Sequence, residues 1–194
     1  MKELEIEFKN ILAEADYQTL QDLYFQNIKP VVQKNYYIDT KALDLRENRM
    51  LLRVREKNGG QVMTLKVPTD RGVLEFHGEV DVDVTDGAEI SAGVIPSIIV
   101  EEFKVRNIEV ENVYVYGVLE TKRQETDYKN GLLVLDHSNY LGQEDFELEF
   151  EVSDYDRGET DFLNLLESHQ IERRTEVTKS GRFYARLSEL KKEQ

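Results

Sequence analysis

The chain is 194 residues long, carries a formal net charge of -14 and contains no cysteine, and one hydrophobic core can serve a chain of this size. The charge repels a polyanionic duplex over much of the surface, which makes nucleic acid a poor candidate for the main partner. The lack of cysteine excludes disulfide scaffolds, thiolate metal sites and thiol nucleophiles, so any metal must use oxygen or histidine.

The first predicted element is the strand Glu5-Ile6-Glu7-Phe8-Lys9, whose period of two puts Glu5, Glu7 and Lys9 on one face and Leu4, Ile6 and Phe8 on the other. Leu12, Leu20, Leu23 and Tyr24 mark a helix from Leu12 to Phe25 that stops before Pro30. Arg53, Arg55 and Lys57 alternate with Leu52 and Val54, and Asn58-Gly59-Gly60 then reads as a hairpin turn. Beyond it, Thr64 and Lys66 alternate with Met63, Leu65 and Val67, and Glu75, His77, Glu79 and Asp81 with Leu74, Phe76 and Val80. From about Val84 to Val118 the pattern is least regular and reads as a helical excursion, with Ser97 capping a helix to about Arg106.

Asn130-Gly131 joins a strand ending near Tyr128 to Leu132-Leu133-Val134-Leu135-Asp136 as a second hairpin. Glu147, Glu149 and Glu151 then alternate with Phe146, Leu148, Phe150 and Val152. Phe162, Leu165, Leu166 and His169 place a helix over Thr160 to His169. Phe183, Leu187 and Leu190 suggest a terminal helix, with Lys191 and Lys192 in its last turn complementing the macrodipole. No linker, repeat or low-complexity stretch interrupts the chain, which reads as a single domain over 1–194. It opens without an apolar signal segment, and no apolar run approaches the ~20 residues that span a bilayer, so a cytoplasmic protein with no membrane partner is expected.

About eight antiparallel strands with few helices predict an all-β-dominated α+β fold: an eight-stranded antiparallel closed barrel with peripheral helices. Its charged faces point either outward or into the lumen. Outward faces ordinarily mix signs to limit repulsion, yet Glu147, Glu149 and Glu151 are all acidic and Arg53, Arg55 and Lys57 all basic. Segregation by strand fits two binding surfaces facing the lumen. His77, His137 and His169 have no zinc spacing, and there is no Ser-His-Asp arrangement, glycine-rich phosphate loop or nucleotide fingerprint.

These residues resemble the CYTH domain proteins, also called triphosphate tunnel metalloenzymes. Glu5-x-Glu7-x-Lys9 is similar to the family's ExExK signature, and ordered matches continue through nearly the whole chain. They are Tyr37-Ile38-Asp39-Thr40, the basic strand Leu52-Arg53-Val54-Arg55, Thr64-Leu65-Lys66, Glu79 with Glu75 as its alternative, Thr121-Lys122-Arg123, Leu135-Asp136 with Tyr140-Leu141-Gly142, and Phe146-Glu147-Leu148-Glu149. The resemblance implies a barrel with a polar tunnel that acts on triphosphate groups with Mg2+ or Mn2+. Either Lys179 or Arg182, in Lys179-Ser180-Gly181-Arg182-Phe183-Tyr184, then supplies the last cation.

Phosphoryl transfer is catalysed mainly by positioning and electrostatics. Arg53, Arg55 and Arg123 suit this because a guanidinium grips two phosphate oxygens, while Lys9 and Lys66 add point charges. Glu5, Glu7, Glu147 and Glu149 would repel one another unless a divalent cation offsets them, which makes them the expected metal ligands, Glu5, Glu7 and Glu149 most directly and Glu147 or Glu151 through water. Asp136 or Glu79 is expected to orient the attacking water, and Lys9 is the third expected catalytic residue. The expected function is metal-dependent hydrolysis of inorganic triphosphate or a small organic triphosphate. A class IV-type adenylate cyclase, or a module that binds polyphosphate or a nucleotide without turnover, is the alternative. Oligomeric state stays open.

Overall fold

The computed structural model describes residues 1–174 and 177–193. Its strands are β1 (Lys2–Leu12), β2 (Val31–Asp39), β3 (Leu51–Lys57), β4 (Gly60–Thr69), β5 (Gly72–Val80), β6 (Glu89–Ser91), β7 (Asn112–Tyr128), β8 (Gly131–Tyr140) and β9 (Gln143–Val152). Its helices are α1 (Glu14–Tyr24), α2 (Asp44–Glu47), α3 (Ser97–Val105), α4 (Tyr155–Ser168) and α5 (Lys179–Lys192), with one 3-10 turn at Ala92–Val94. Eight strands close into an antiparallel barrel in the order β2-β3-β4-β5-β1-β9-β8-β7, with β7 returning to β2. The ninth, β6, lies outside the ring and pairs with the first residues of β7. It falls in the segment expected as a helical excursion between strands, where three residues are too short to show a period. Among the described residues, no helix is long and apolar enough to cross a membrane.

Turn chemistry sets the register. Asn58 and Gly59 take φ of 55° and 80°, the doubly left-handed pair of a two-residue hairpin turn, and Lys57 pairs with Gly60. The second hairpin turns one residue earlier than expected. Tyr128 pairs with Gly131, and Lys129 rather than Asn130 or Gly131 takes the left-handed φ, 51°. Gly131 instead begins β8 where a Cβ would lie 2.4 Å from the Glu151 carbonyl oxygen. Glycine is needed there for close approach of two strands, not for the turn.

The chain forms two compact units, residues 1–4 with 33–119 and residues 5–32 with 120–194. In the first, the apolar face of β2 to β5 (Ile38, Leu52, Val54, Met63, Leu65 and Phe76) packs in one core with Ile99 and Phe103 of α3. Opposite residues in the ladder share a face, so Tyr37, Arg53, Thr64 and His77 form one row on the other side. Asp39, only 1% exposed, ends β2 by accepting N–H bonds from Thr40 (2.7 Å), Leu45 (3.0 Å) and Arg46 (3.0 Å), which organises the short α2. Burial pushes its carboxyl up, against those three bonds.

In the second unit, Phe8, Leu133, Leu135, Leu148 and Phe150 form a core with Leu20 of α1 and with Phe162, Leu165 and Leu166 of α4. Burying a side chain of this size contributes about 1.5–3 kcal/mol. Helix α4 begins at Tyr155 rather than Thr160, because Asp154 caps it by accepting the Arg157 N–H at 2.9 Å. The apolar period starts only at Phe162, so it could not show this polar first turn. His169, expected on the packed stripe, closes the helix and lies 2.7 Å from the Tyr24 hydroxyl.

Candidate active site

Each unit carries its charged residues on the sheet face opposite its apolar core. In the second unit the register places Glu7 opposite Glu151, Lys9 opposite Glu149, and Arg123, Asp136 and Glu147 in one row across β7, β8 and β9. These are not solvated strand faces: Asp136 is 0%, Glu147 1% and Glu149 4% exposed. Buried carboxylates need compensation, and this chain supplies it. Arg123 holds Asp136 in a two-pronged contact of 2.9 and 2.7 Å and reaches Glu149 at 2.6 Å. Lys179, the first residue of α5, contacts Glu147, Glu149 at 2.6 Å and Asp136 at 2.9 Å. Its position follows from the cap, Thr178, which accepts the Gly181 N–H at 3.1 Å.

Lys179 and Arg182 therefore both enter the acidic cluster. Arg182 donates to Asp145 (2.7 and 3.1 Å) and to Glu147 (2.8 Å), and the Tyr140 hydroxyl donates to Asp145 at 2.9 Å. Asp145 is not among the expected site residues, although its period of two with Glu147, Glu149 and Glu151 places it on the same face of β9. Lys9 pairs with Glu7 and lies 4.0 Å from Glu149.

The electrostatics differ among these acids. Burial opposes ionisation of Glu149, but Lys179, Arg123 and Lys9 hold its carboxyl well below the usual range. Burial together with the neighbouring Glu149 pushes Glu147 up, against Lys179, Arg182 and Lys9. Burial, with Glu5, Glu149 and Glu7 nearby, pushes Glu151 up to about 7 despite Arg123. Lys9 and Lys179 are raised against the cost of burial by the carboxylates around them. Two carboxylate triads bring ligand oxygens within 4.8 Å of one another: Glu5, Glu7 and Glu151, and Asp136, Glu147 and Glu149. The second is the triad that Lys179 contacts throughout. The four expected metal ligands are thus divided, with Glu151 completing one set and Asp136 the other.

The first unit brings together Arg53, Arg55 and Lys66. Arg55 donates through Nε to Asn35 Oδ1 at 2.9 Å, and Lys66 pairs with Glu75. The Arg53 Nε is buried with no acceptor among the described residues, a condition that costs about 1–3 kcal/mol unless something fills it. Of the two candidate carboxylates on β5, Glu75 is buried and paired with Lys66, whereas Glu79 is exposed in the row of Arg55 and Val62.

The CYTH domain model matches residues 3–184. A Bacillus subtilis (strain 168) protein named "Putative triphosphatase YjbK" is 38% identical over 184 residues, which span 94% of this chain and 95% of that protein. A solved structure from Bacillus halodurans, described as "a putative adenylate cyclase", superposes with a TM-score of 0.79 at 28% identity over 94% of this chain and 98% of its own. HpAC1 from Hippeastrum, described as revealing a dominant triphosphatase activity, superposes with a TM-score of 0.73 at 20% identity over 93% and 95%.

Proposed function

The chain belongs to the CYTH domain family, and from that premise we propose that it hydrolyses the terminal phosphoanhydride of inorganic triphosphate or a small organic triphosphate, in the cytoplasm and with a divalent cation. The observation that carries this reading is the convergence of Glu5, Glu7 and Glu151, whose ligand oxygens lie within 4.8 Å of one another. An all-oxygen donor set suits Mg2+ or Mn2+ better than a softer metal. These carboxylates also fit a cation chemically: burial first, and then the neighbouring Glu5, Glu149 and Glu7, push Glu151 up to about 7, and a divalent cation among them would favour the ionised form. The bound ion would neutralise phosphate charge.

The side chains divide the remaining work. Arg53, whose buried Nε has no acceptor among the described residues, Arg55 and Lys66 bind phosphate oxygens and hold the chain of phosphates in line. Arg123 is pinned by Asp136 through both carboxylate oxygens, so its orientation is set before substrate arrives. Asp136 is thereby a positioning residue. Lys9, Lys179 and Arg182 keep the buried acids paired and offer positive charge to the phosphates. Glu79, exposed in the row of Arg55, orients the attacking water, whose oxygen bonds to the terminal phosphorus as the bridging P–O bond breaks and diphosphate leaves.

The relative named as a triphosphatase, at 38% identity across 94% of the chain, supports hydrolysis. The Bacillus halodurans neighbour, described as an adenylate cyclase at 28% identity, favours the second reading, cyclisation of ATP. The purified chain should be incubated with Mg2+ or Mn2+ and, separately, triphosphate, ATP, thiamine triphosphate and longer polyphosphate, with all products resolved by chromatography. Release of inorganic phosphate is expected. Cyclic AMP with pyrophosphate would replace this reading by the second, and saturable binding without product would reduce the protein to a polyphosphate-binding module.

A further inference from the structure

One group of titratable side chains takes no part in that reading: Glu3, Glu75 and His77, all in the first unit, with one ligand atom from each within 4.8 Å of the others. Glu75 and His77 share a face of β5. Glu3 is brought beside them because the start of β1 is fastened to β5, where the His77 N–H donates to the Met1 carbonyl at 2.8 Å and the Met1 amino group donates to the His77 carbonyl at 2.8 Å.

The two carboxylates meet at one ring nitrogen. His77 Nε2 lies 2.8 Å from Glu3 Oε1 and 3.2 Å from Glu75 Oε2. Lys66 contacts Glu75 through its other oxygen, Oε1, so Oε2 is the oxygen turned to the imidazole. The ring is held from behind as well, since His77 Nδ1 lies 2.9 Å from the hydroxyl of Thr64, its ladder partner, which is only 3% exposed. A hydroxyl both donates and accepts, so Thr64 can serve either ring tautomer.

We infer that Glu3, Glu75 and His77 form a binding site for a borderline divalent transition metal of the zinc class, with ligands other than Glu5, Glu7 and Glu151. In the tautomer with its proton on Nε2, the ring faces two carboxylate oxygens; a metal held by the same three atoms would take that proton's place, and the proton would move to Nδ1, where the Thr64 hydroxyl can accept it. An imidazole fixed by a hydrogen bond on its far nitrogen is the usual arrangement behind a metal-ligating histidine. One nitrogen and two oxygens select Zn2+ or Co2+ over Mg2+, which prefers oxygen and its own waters. Glu3 is exposed, so the fourth position opens to water. Sequence spacing could not show this site, because Glu3 and His77 meet only through the pairing of β1 with β5.

The test is Zn2+ titration of the whole chain by calorimetry in excess Mg2+, which occupies all-oxygen sites, with Co2+ absorption as the spectroscopic readout. One Zn2+ per chain is expected, together with Co2+ ligand-field bands. Glu3→Ala, at an exposed position, should keep the fold and weaken Zn2+ at least about tenfold, and His77→Gln should abolish the Co2+ bands. Thr64→Val should weaken Zn2+ by about 10–100-fold, the usual cost of losing the group behind a ligating histidine. Unchanged Zn2+ affinity in Glu3→Ala and His77→Gln, or no Zn2+ bound by the wild type in excess Mg2+, would overturn the site. Neither result depends on any phosphatase assay, so failure here leaves the proposed hydrolysis standing, and failure of hydrolysis leaves this site standing.

Discussion

The two units use one architecture to opposite electrostatic effect. Both bury an apolar strand face under helices and carry charge on the reverse face. In the second unit the reverse face is satisfied by its own chain: Glu149 gives one oxygen to Lys179 and the other to Arg123, and Glu147 divides its oxygens between Lys179 and Arg182. In the first, the buried Arg53 Nε has no acceptor among the described residues. Internal pairing makes the second unit's charges structural, whereas the Arg53 Nε makes no hydrogen bond among the described residues that its loss would break. Stability and activity should therefore separate between the units.

The sharpest test is Glu149→Ala, which leaves Lys179 and Arg123 short of a buried partner. It should lower unfolding free energy by about 3–5 kcal/mol in urea denaturation. Arg53→Ala should do the reverse, leaving stability within about 0.5 kcal/mol while reducing kcat/KM for triphosphate by about 100–1,000-fold. The contrast fails if Arg53→Ala loses as much stability as Glu149→Ala. If Glu5, Glu7 and Glu151 hold the cation, Mn2+ at 100 times its Kd should stabilise the wild type by about 2.7 kcal/mol, and Glu7→Gln should remove most of that gain. Asp39→Ala, which deprives three N–H groups of their acceptor, should cost about 1–3 kcal/mol. The smallest effect is expected at Asp154→Ala, about 1 kcal/mol from the loss of the α4 cap, read by thermal denaturation.

Legibility of the sequence followed the range of each interaction. The alternations at Glu5 to Lys9, Leu52 to Lys57 and Phe146 to Val152 each became a strand with the expected faces, because a period of two is a property of consecutive residues. The α4 start was misplaced because a capped polar turn lacks apolar period, and the second hairpin because Gly131 serves a neighbouring strand rather than its turn. The pairing of Lys179 with three carboxylates was beyond reach in the same way, since its partners are 30 to 43 residues away along the chain.

By itself, the sequence determined which residues are charged, which faces they share and, through ordered motifs from Glu5 to Glu149, the family and its barrel. Only the tertiary structure decided which opposite charges meet. It tied Lys179 and Arg123 to Glu149, grouped Glu151 with Glu5 and Glu7, and set Glu3 against His77. Alternation is dictated by local backbone geometry, while the partner of a buried charge depends on strand register and burial, which exist only once distant segments have paired.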